Sequence, residues 1–193
     1  MNKKLIIFII LISLLIAGGI FCWWQSGEEL RELNKNLPEG IRVIKTFSGE
    51  YEIINKKDDY KINWPKKKLG NVFYEEIQDL EEIMPPYFPE EIKNLFISRT
   101  DLVLGEYSIL PELRIDCFNL KNNIDLRKIL EALKKSPFAN KKMGLEKIGD
   151  IEVLIVKDGQ ENYSFQINSK FYNIACEEEN LCENILKTSK WSL

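Results

Sequence analysis

The chain of 193 residues contains no histidine. Histidine is the usual general base, the commonest metal ligand and the ordinary activator of a nucleophile, so its absence removes the most frequent catalytic and metal-binding arrangements. The sequence also lacks a glycine-rich phosphate loop and a calcium loop of the Asp-x-Asp-x-Asp-Gly kind. We therefore predict a protein that is not an enzyme and that holds no metal or cofactor.

Catalysis by paired carboxylates, or by serine with lysine, does not need histidine and stays open. Asp116, Asp150 and Glu152 lie in or beside predicted strands, but their spacing singles out no pair. Charged residues that alternate with apolar ones are typical of the solvated face of a sheet. A hydrolase is therefore the least favoured of the functions considered.

Strong positive charge is also missing, because 27 lysines and arginines face 30 aspartates and glutamates, for a net charge of −3. Proteins that bind nucleic acids or anionic lipid surfaces concentrate cations on one face. The mild acidity argues against both kinds of surface, and we expect no nucleic-acid partner.

An uncharged run is present at residues 5–24, preceded by Lys3 and Lys4 and ending in Trp23 and Trp24. A helix of this length reaches about 30 Å, the thickness of the hydrocarbon core of a bilayer. A cleaved signal peptide would have a shorter apolar core and small residues after it. We expect a single-pass anchor in a bacterial cell membrane, with residues 1–4 as a cytoplasmic tip and the rest of the chain extracytoplasmic.

Residues 25–39 are predicted to form a stalk after this anchor. Leu30, Leu33 and Leu37 have helical spacing, and a proline and a glycine then end the pattern. Residues 40–193 are enough for one domain with its own core, and we predict a single extracytoplasmic domain there.

Alternating apolar residues predict strands throughout this domain. The clearest run is "DYKINW", which places Tyr60, Ile62 and Trp64 on one face. Two segments, Ile124 to Lys135 and Glu178 to Lys187, have helical spacing instead. A sheet with helices packed on it predicts an α+β fold.

Three segments of the domain resemble the PsbP-like family: "DDYKINWPKK", "FQINSKFYNIAC" and a last helix that closes on "ILKTSKW". The sequence departs from the family pattern at Lys66, Lys67 and Lys68, where a tryptophan is common, and at Ser189, where the family has phenylalanine. The resemblance implies an antiparallel sheet between helices, an α/β/α sandwich. It also implies a mostly non-catalytic family that binds or helps to assemble membrane-associated complexes. It carries over no binding residue.

Cys176 and Cys182 flank three glutamates near the end of the chain. A structural zinc site needs about four cysteine or histidine ligands, and a redox pair is more typically Cys-x-x-Cys. A disulfide and two buried free thiols remain as alternatives. Residues six apart on one helix are about 9 Å apart by rise, beyond the ~7 Å Cα limit, so a disulfide requires the helix to begin after Cys176.

The segment "IMPPYFPEEIKNLF" carries three prolines around Tyr87 and Phe88. Rigid aromatic side chains bind partners at low entropic cost, so these two rings are candidates for a partner-binding tip. The alternative is a loop that folds its rings onto the core of its own domain.

Two functions are therefore expected. The first is a non-catalytic, membrane-anchored binding or assembly module for an envelope or membrane protein. The alternative is a domain that holds a small ligand, such as a lipid or a glycan, in a pocket between sheet and helices.

Overall fold

The computed structural model describes residues 27–65, 69–78, 90–105, 111–136, 141–158, 160–178 and 180–192. The chain divides into two compact units, Met1–Asn36 and Leu37–Leu193. In the first unit, residues 27–35 form helix α1. All the elements described below belong to the second unit.

Eleven strands form in the described part of the second unit, and every pair of neighbours is antiparallel. The small sheet contains β1 (Ile41–Lys45), β2 (Tyr51–Asn55), β3 (Tyr60–Trp64) and β11 (Lys190–Trp191), in that order. The large sheet contains β4 (Asn71–Ile77), β5 (Phe96–Gly105), β6 (Leu113–Leu120), β7 (Lys142–Ile148), β8 (Ile151–Asp158), β9 (Gln160–Ile167) and β10 (Lys170–Cys176). Its spatial order is β4-β5-β6-β10-β9-β8-β7.

The large sheet consists of two meanders side by side. In each meander, strands that are consecutive in the chain pair with each other, and the pairing of β6 with β10 joins the two. Two turns of the second meander use left-handed backbone, at Gly149 (φ 61°) and Asn168 (φ 54°). Glycine and asparagine adopt this conformation most readily.

Three short helices connect the strands in this unit's described residues: α2 (Glu90–Lys93), α3 (Leu126–Lys134) and α4 (Leu181–Thr188). The side chain of Asp125 caps α3 by accepting a hydrogen bond from the N–H of Arg127 at 2.9 Å. Helix α4 begins later than its sequence pattern predicts, because Asn180 before it has left-handed backbone (φ 65°).

Both faces of the large sheet bury apolar side chains. Consecutive residues of a strand point to opposite faces, and Phe171 and Tyr172 of β10 show the division. Phe171 packs with Phe96 and Phe118 in the core under α3, whereas Tyr172 packs with Tyr60 of the small sheet.

Four aromatic rings join the two sheets at their centre. Trp191 lies 5.6 Å from Tyr60, 4.9 Å from Phe165 and 5.4 Å from Tyr172, measured between ring centroids. Phe165 also stacks on Tyr172 at 5.2 Å. All four side chains are buried, so the last strand of the chain contributes directly to the main core.

The predicted fold class is wrong in its layers. The described chain is mostly antiparallel β structure in two sheets, and its helices are few and short, so it is not the α/β/α sandwich implied by the PsbP-like resemblance. One face of the large sheet is covered by a second sheet where that fold has helices. The alternation predicted for β3 is confirmed, because Tyr60, Ile62 and Trp64 are all buried.

The predicted membrane topology is corrected as well. No helix among the described residues is long and apolar enough to cross a bilayer, so the predictions of a single-pass membrane protein and an extracytoplasmic location are not carried further. The predicted anchor, residues 5–24, and its flanking Lys3, Lys4, Trp23 and Trp24 lie outside the described residues.

We predict that Trp191→Ala lowers the free energy of unfolding by about 3–5 kcal/mol, because it empties the centre of the contact between the sheets. Trp191→Phe should cost less, since the indole Nε1 has no hydrogen-bond partner among the described residues. Urea unfolding of both variants measures the difference. A loss below about 1 kcal/mol for the alanine variant would show that the two sheets do not depend on this ring.

Candidate functional site

An open groove of about 310 Å³ lies at one end of the small sheet. The β1–β2 hairpin borders it with Thr46, Glu50 and Tyr51, and Asn63 and Trp64 border it at the end of β3. Glu52, Pro65, Asn184 and Thr188 complete its lining. Strand ends, a turn and the end of α4 therefore converge on one small space, which we call the hairpin groove.

The turn of this hairpin displays Phe47 as a fully exposed side chain. The N–H of Thr46 donates to the carbonyl oxygen of Glu50 at 2.8 Å, and the N–H of Gly49 donates to the carbonyl oxygen of Thr46 at 3.0 Å. Gly49 has φ 86°, which L side chains rarely adopt. The ring is therefore presented on a turn whose backbone is fixed by hydrogen bonds.

Asn63 links the groove to α4. Its side-chain Nδ2 donates to the carbonyl oxygen of Thr188, and its backbone N–H donates to Ser189 Oγ at 3.2 Å. The remaining oxygen, Asn63 Oδ1, is buried and accepts no hydrogen bond from any residue in the described ranges. A buried acceptor without a donor is costly.

The two glutamates beside the groove differ in their charged partners. Glu52 pairs with Lys61 across the strands at 2.6 Å, whereas Glu50 makes no ion pair with any residue whose position is described. Lys45 lies over the ring of Tyr51, with Nζ 5.5 Å from the ring centroid. Both of these lysines therefore have partners. The Glu50 carboxylate accepts a hydrogen bond from Ser48 Oγ at 3.2 Å but has no cationic partner among the described residues.

A second polar cluster lies on the α3 side of the large sheet, with two aspartates and two arginines. Asp101 of β5 and Asp116 of β6 are directly opposite each other. Arg99 donates to both carboxylates, with bonds of 2.6 and 2.9 Å to Asp101 and 3.0 Å to Asp116. Arg114 also donates to both, and Asn173 donates to Asp116 at 3.1 Å.

This arginine–aspartate cluster is a structural network. Burial, and then the neighbouring Asp116 carboxylate, raise the pKa of Asp101 above its ordinary value, although the two guanidinium groups act in the opposite direction. The charges balance, and each carboxylate is satisfied by at least two donors. Since Asp116 is fully engaged, it is poorly placed to act as a general base.

A third buried carboxyl, Asp58, lies in the turn between β2 and β3. Asn55 Nδ2 donates to Asp58 Oδ2 at 2.7 Å, and Tyr172 OH donates to the carbonyl oxygen of Asp58 at 2.7 Å. Burial raises the pKa of Asp58 above its ordinary value, although hydrogen bonds and the charge of Lys170 oppose the shift. This turn is therefore bonded to the large sheet through β10.

Cys176 and Cys182 are joined by a disulfide, with Cα atoms 5.7 Å apart. Helix α4 begins at Leu181, so the two cysteines do not share one continuous helix. Glu161 holds the intervening loop, because its carboxylate accepts the N–H of Asn180 at 3.2 Å. Burial acts to raise the pKa of Glu161, but hydrogen bonds from Lys157 and Asn180 outweigh it and the pKa lies below its ordinary value.

The other residues predicted from the sequence are not brought together. Asp150 and Glu152 are exposed and line a different open groove of about 540 Å³ beside the start of α3, whereas Asp116 belongs to the arginine–aspartate cluster. Tyr87 and Phe88 lie outside the described residues, so their role as a binding tip stays a prediction.

Sequence reasoning missed Phe47 because the run "IRVIKTF" assigns it to the end of a strand. The strand ends at Lys45. The signal that could have found it is the following Ser48-Gly49 pair, which is typical of a turn.

We predict that reducing the disulfide lowers the melting temperature by roughly 4–8 °C. In the chain-entropy model a bridge closing so short a loop contributes about 2 kcal/mol, and each kcal/mol moves the midpoint of a chain this size by about 2–4 °C. Calorimetry with and without reductant measures the shift. The double variant Cys176→Ala/Cys182→Ala is the control and should not respond to reductant; an equal response would assign the effect elsewhere.

Replacing Asp58 with asparagine should change the pH dependence of stability. Because the folded chain holds the Asp58 proton more tightly than the unfolded chain, the wild type should lose stability relative to the variant as pH rises from below about 3.9 through the raised pKa. Above that window the difference should stay constant. Urea unfolding across pH measures it, and a relative gain by the wild type would mean that the donors outweigh burial.

No family model, no curated protein and no solved structure matches this chain.

Proposed function

We propose that this chain is a non-catalytic binding module that captures a protein partner at the hairpin groove and Phe47. The single observation that carries the proposal is the full exposure of Phe47 on a turn held by hydrogen bonds. This ring is not part of the protein's own core, and the backbone of the turn that carries it is held by hydrogen bonds.

The energetics of such a ring favour binding. Burying a phenylalanine side chain that was exposed gains about 1.5–3 kcal/mol, and a preorganised turn loses little conformational freedom on association. Aromatic anchors next to a pocket are typical of the residues that dominate protein interfaces. The hairpin groove supplies the adjoining pocket.

The hydrogen bonds made by the buried carboxylates support the proposal that the chain is not catalytic. Asp116 is engaged by two arginines and an asparagine, and the sequence has no histidine to act as a base. The resemblance to PsbP-like proteins is compatible with a binding or assembly role, but no step of the proposal depends on it.

A small-ligand domain is the second candidate, and the groove beside α3 favours it. Its lining combines amides of Asn123, Gln166 and Asn168 with the carboxylates of Asp125 and Asp150. This polar lining suits a hydroxyl-rich ligand such as a glycan better than a lipid. Its lining residues include no aromatic ring, which makes it a weaker candidate than the hairpin groove.

We predict that a photo-reactive amino acid at position 47 forms one discrete cross-linked product with a partner protein in the native cell. The same residue at position 73 is the matched control, because Phe73 is also exposed but lies on the large sheet. Mass spectrometry identifies the product. Identical products at both positions would contradict a specific interface at the hairpin.

The companion variant Phe47→Ala should reduce recovery of that product's partner while leaving the melting temperature nearly unchanged, since surface substitutions usually alter stability by about 0.5 kcal/mol or less. Calorimetry and pull-down on the same preparation measure both quantities. A drop of several degrees would show that Phe47 packs on its own domain, and the proposal would fail.

A further inference from the structure

We infer that strand β7 pairs with β7 of a second copy of this chain, so that two large sheets join into one antiparallel sheet across a two-fold axis at Leu145. This inference goes beyond the proposed function, because β7 belongs to the large sheet and takes no part in the hairpin groove. Three features of β7 support it: its open edge, its charges and its apolar side chains.

The outer edge of β7 has free backbone groups. All seven residues of the strand pair with β8, and no described strand pairs with β7 on its other side. A two-residue turn makes Ile148 and Ile151 a hydrogen-bonded pair, and bonded and non-bonded pairs then alternate along the hairpin. The N–H and C=O groups of Met143, Leu145 and Lys147 therefore point outward, where such a row can pair with a further strand.

The charges of β7 complement those of a second, antiparallel copy. Lys142 and Glu146 are exposed and make no ion pair with any residue in the described ranges. They are four residues apart in an extended strand, about 13 Å, which is too far for them to pair with each other. Antiparallel pairing brings Lys142 of each copy near Glu146 of the other. The remaining charge in the strand, Lys147, lies opposite Glu152 of β8.

The apolar side chains of β7 have exposed area left to bury. Met143 and Leu145 pack at the margin of the core under α3 and are only partly buried. An axis at Leu145 places this side chain opposite its own copy. Gly144 then lies opposite Glu146 of the second copy, and a Cβ at position 144 would have open space around it. The carboxylate side chain therefore has room at the interface.

Backbone geometry and charge together select this register. The outward groups of one copy must meet the outward groups of the other, so the axis passes through a residue and not between two. An axis at Glu146 would place two carboxylates directly opposite each other, and an axis at Gly144 would place Lys141 opposite Lys147. Like charges in such positions are destabilising. The axis at Leu145 opposes no like charges and uses all seven residues of the strand.

The opposite edge of the large sheet lacks this complementarity. Strand β4 carries Glu75 and Glu76 and contains no lysine or arginine. Glu76 already pairs with Lys57 of its own chain at 2.6 Å. Two copies of β4 would bring four carboxylates together without a cation from either strand, so β7 is the edge that suits a second copy.

Sedimentation equilibrium of the intact chain tests the inference, with Lys147→Pro and Lys147→Ala as a matched pair. Proline removes an N–H that points outward, so it should block pairing between copies without breaking a hydrogen bond to β8. Alanine removes the same side chain and keeps the N–H. We expect the wild type and the alanine variant to dimerise and the proline variant to stay monomeric. A wild type that is monomeric at about 1 mM, or a dimer that persists with proline, would overturn the inference.

A charge exchange gives an independent measurement on variants whose altered side chains are exposed. Lys142→Glu and Glu146→Lys should each raise the dissociation constant of the dimer by roughly tenfold, because two contacts per dimer change from attraction to repulsion. The double variant restores opposite charges across the axis and should recover the wild-type constant to within about twofold. A double variant that dissociates as readily as the single ones would overturn the inference.

Discussion

The contact between the two sheets is the constraint on which the rest of the domain depends. Tyr60 and Trp191 from the small sheet meet Phe165 and Tyr172 from the large sheet. Because Trp191 comes from the last short strand, the chain must return to the small sheet after leaving β10. Helix α4 and the disulfide loop make that return, so their positions follow from where Trp191 has to lie.

The opposite face of the large sheet explains the arginine–aspartate cluster. Seven strands spaced about 4.8 Å apart span about 29 Å, whereas a nine-residue helix is only about 14 Å long. Helix α3 packs against β7 and β8 and reaches β5 and β6 at the end that carries Phe96 and Phe118. Farther along β5 and β6, paired charges such as Arg99 and Asp101 satisfy one another. The cross-strand network therefore satisfies the polar side chains on the part of this face that the helix does not cover.

The sequence predicts the individual strands and helices of this fold better than it predicts how they are arranged. Alternation at Tyr60, Ile62 and Trp64 predicts β3 because burial on one face leaves a period of two, and helical spacing predicts α3 and α4 to within a few residues. The division into two sheets depends on which distant strands pair, as β11 does with β3. The spacing of apolar residues along the chain does not specify which strands pair. The site was missed for the same reason, since Phe47 looks like the end of a strand until the pairing of β1 with β2 fixes the turn.

Part of the hairpin groove is held in place by the core of the domain. Trp64 is buried on the same face of β3 as Tyr60 and also borders the groove. Asn63 beside it is bonded to Thr188 and Ser189 at the end of α4. The side of the groove formed by β3 and α4 is therefore held by the aromatic contact between the sheets, and the β1–β2 hairpin forms its other side. Interface anchors that are held in place before binding lose little entropy on association. The packing that returns the chain to Trp191 therefore also preorganises the surface on which a partner would bind.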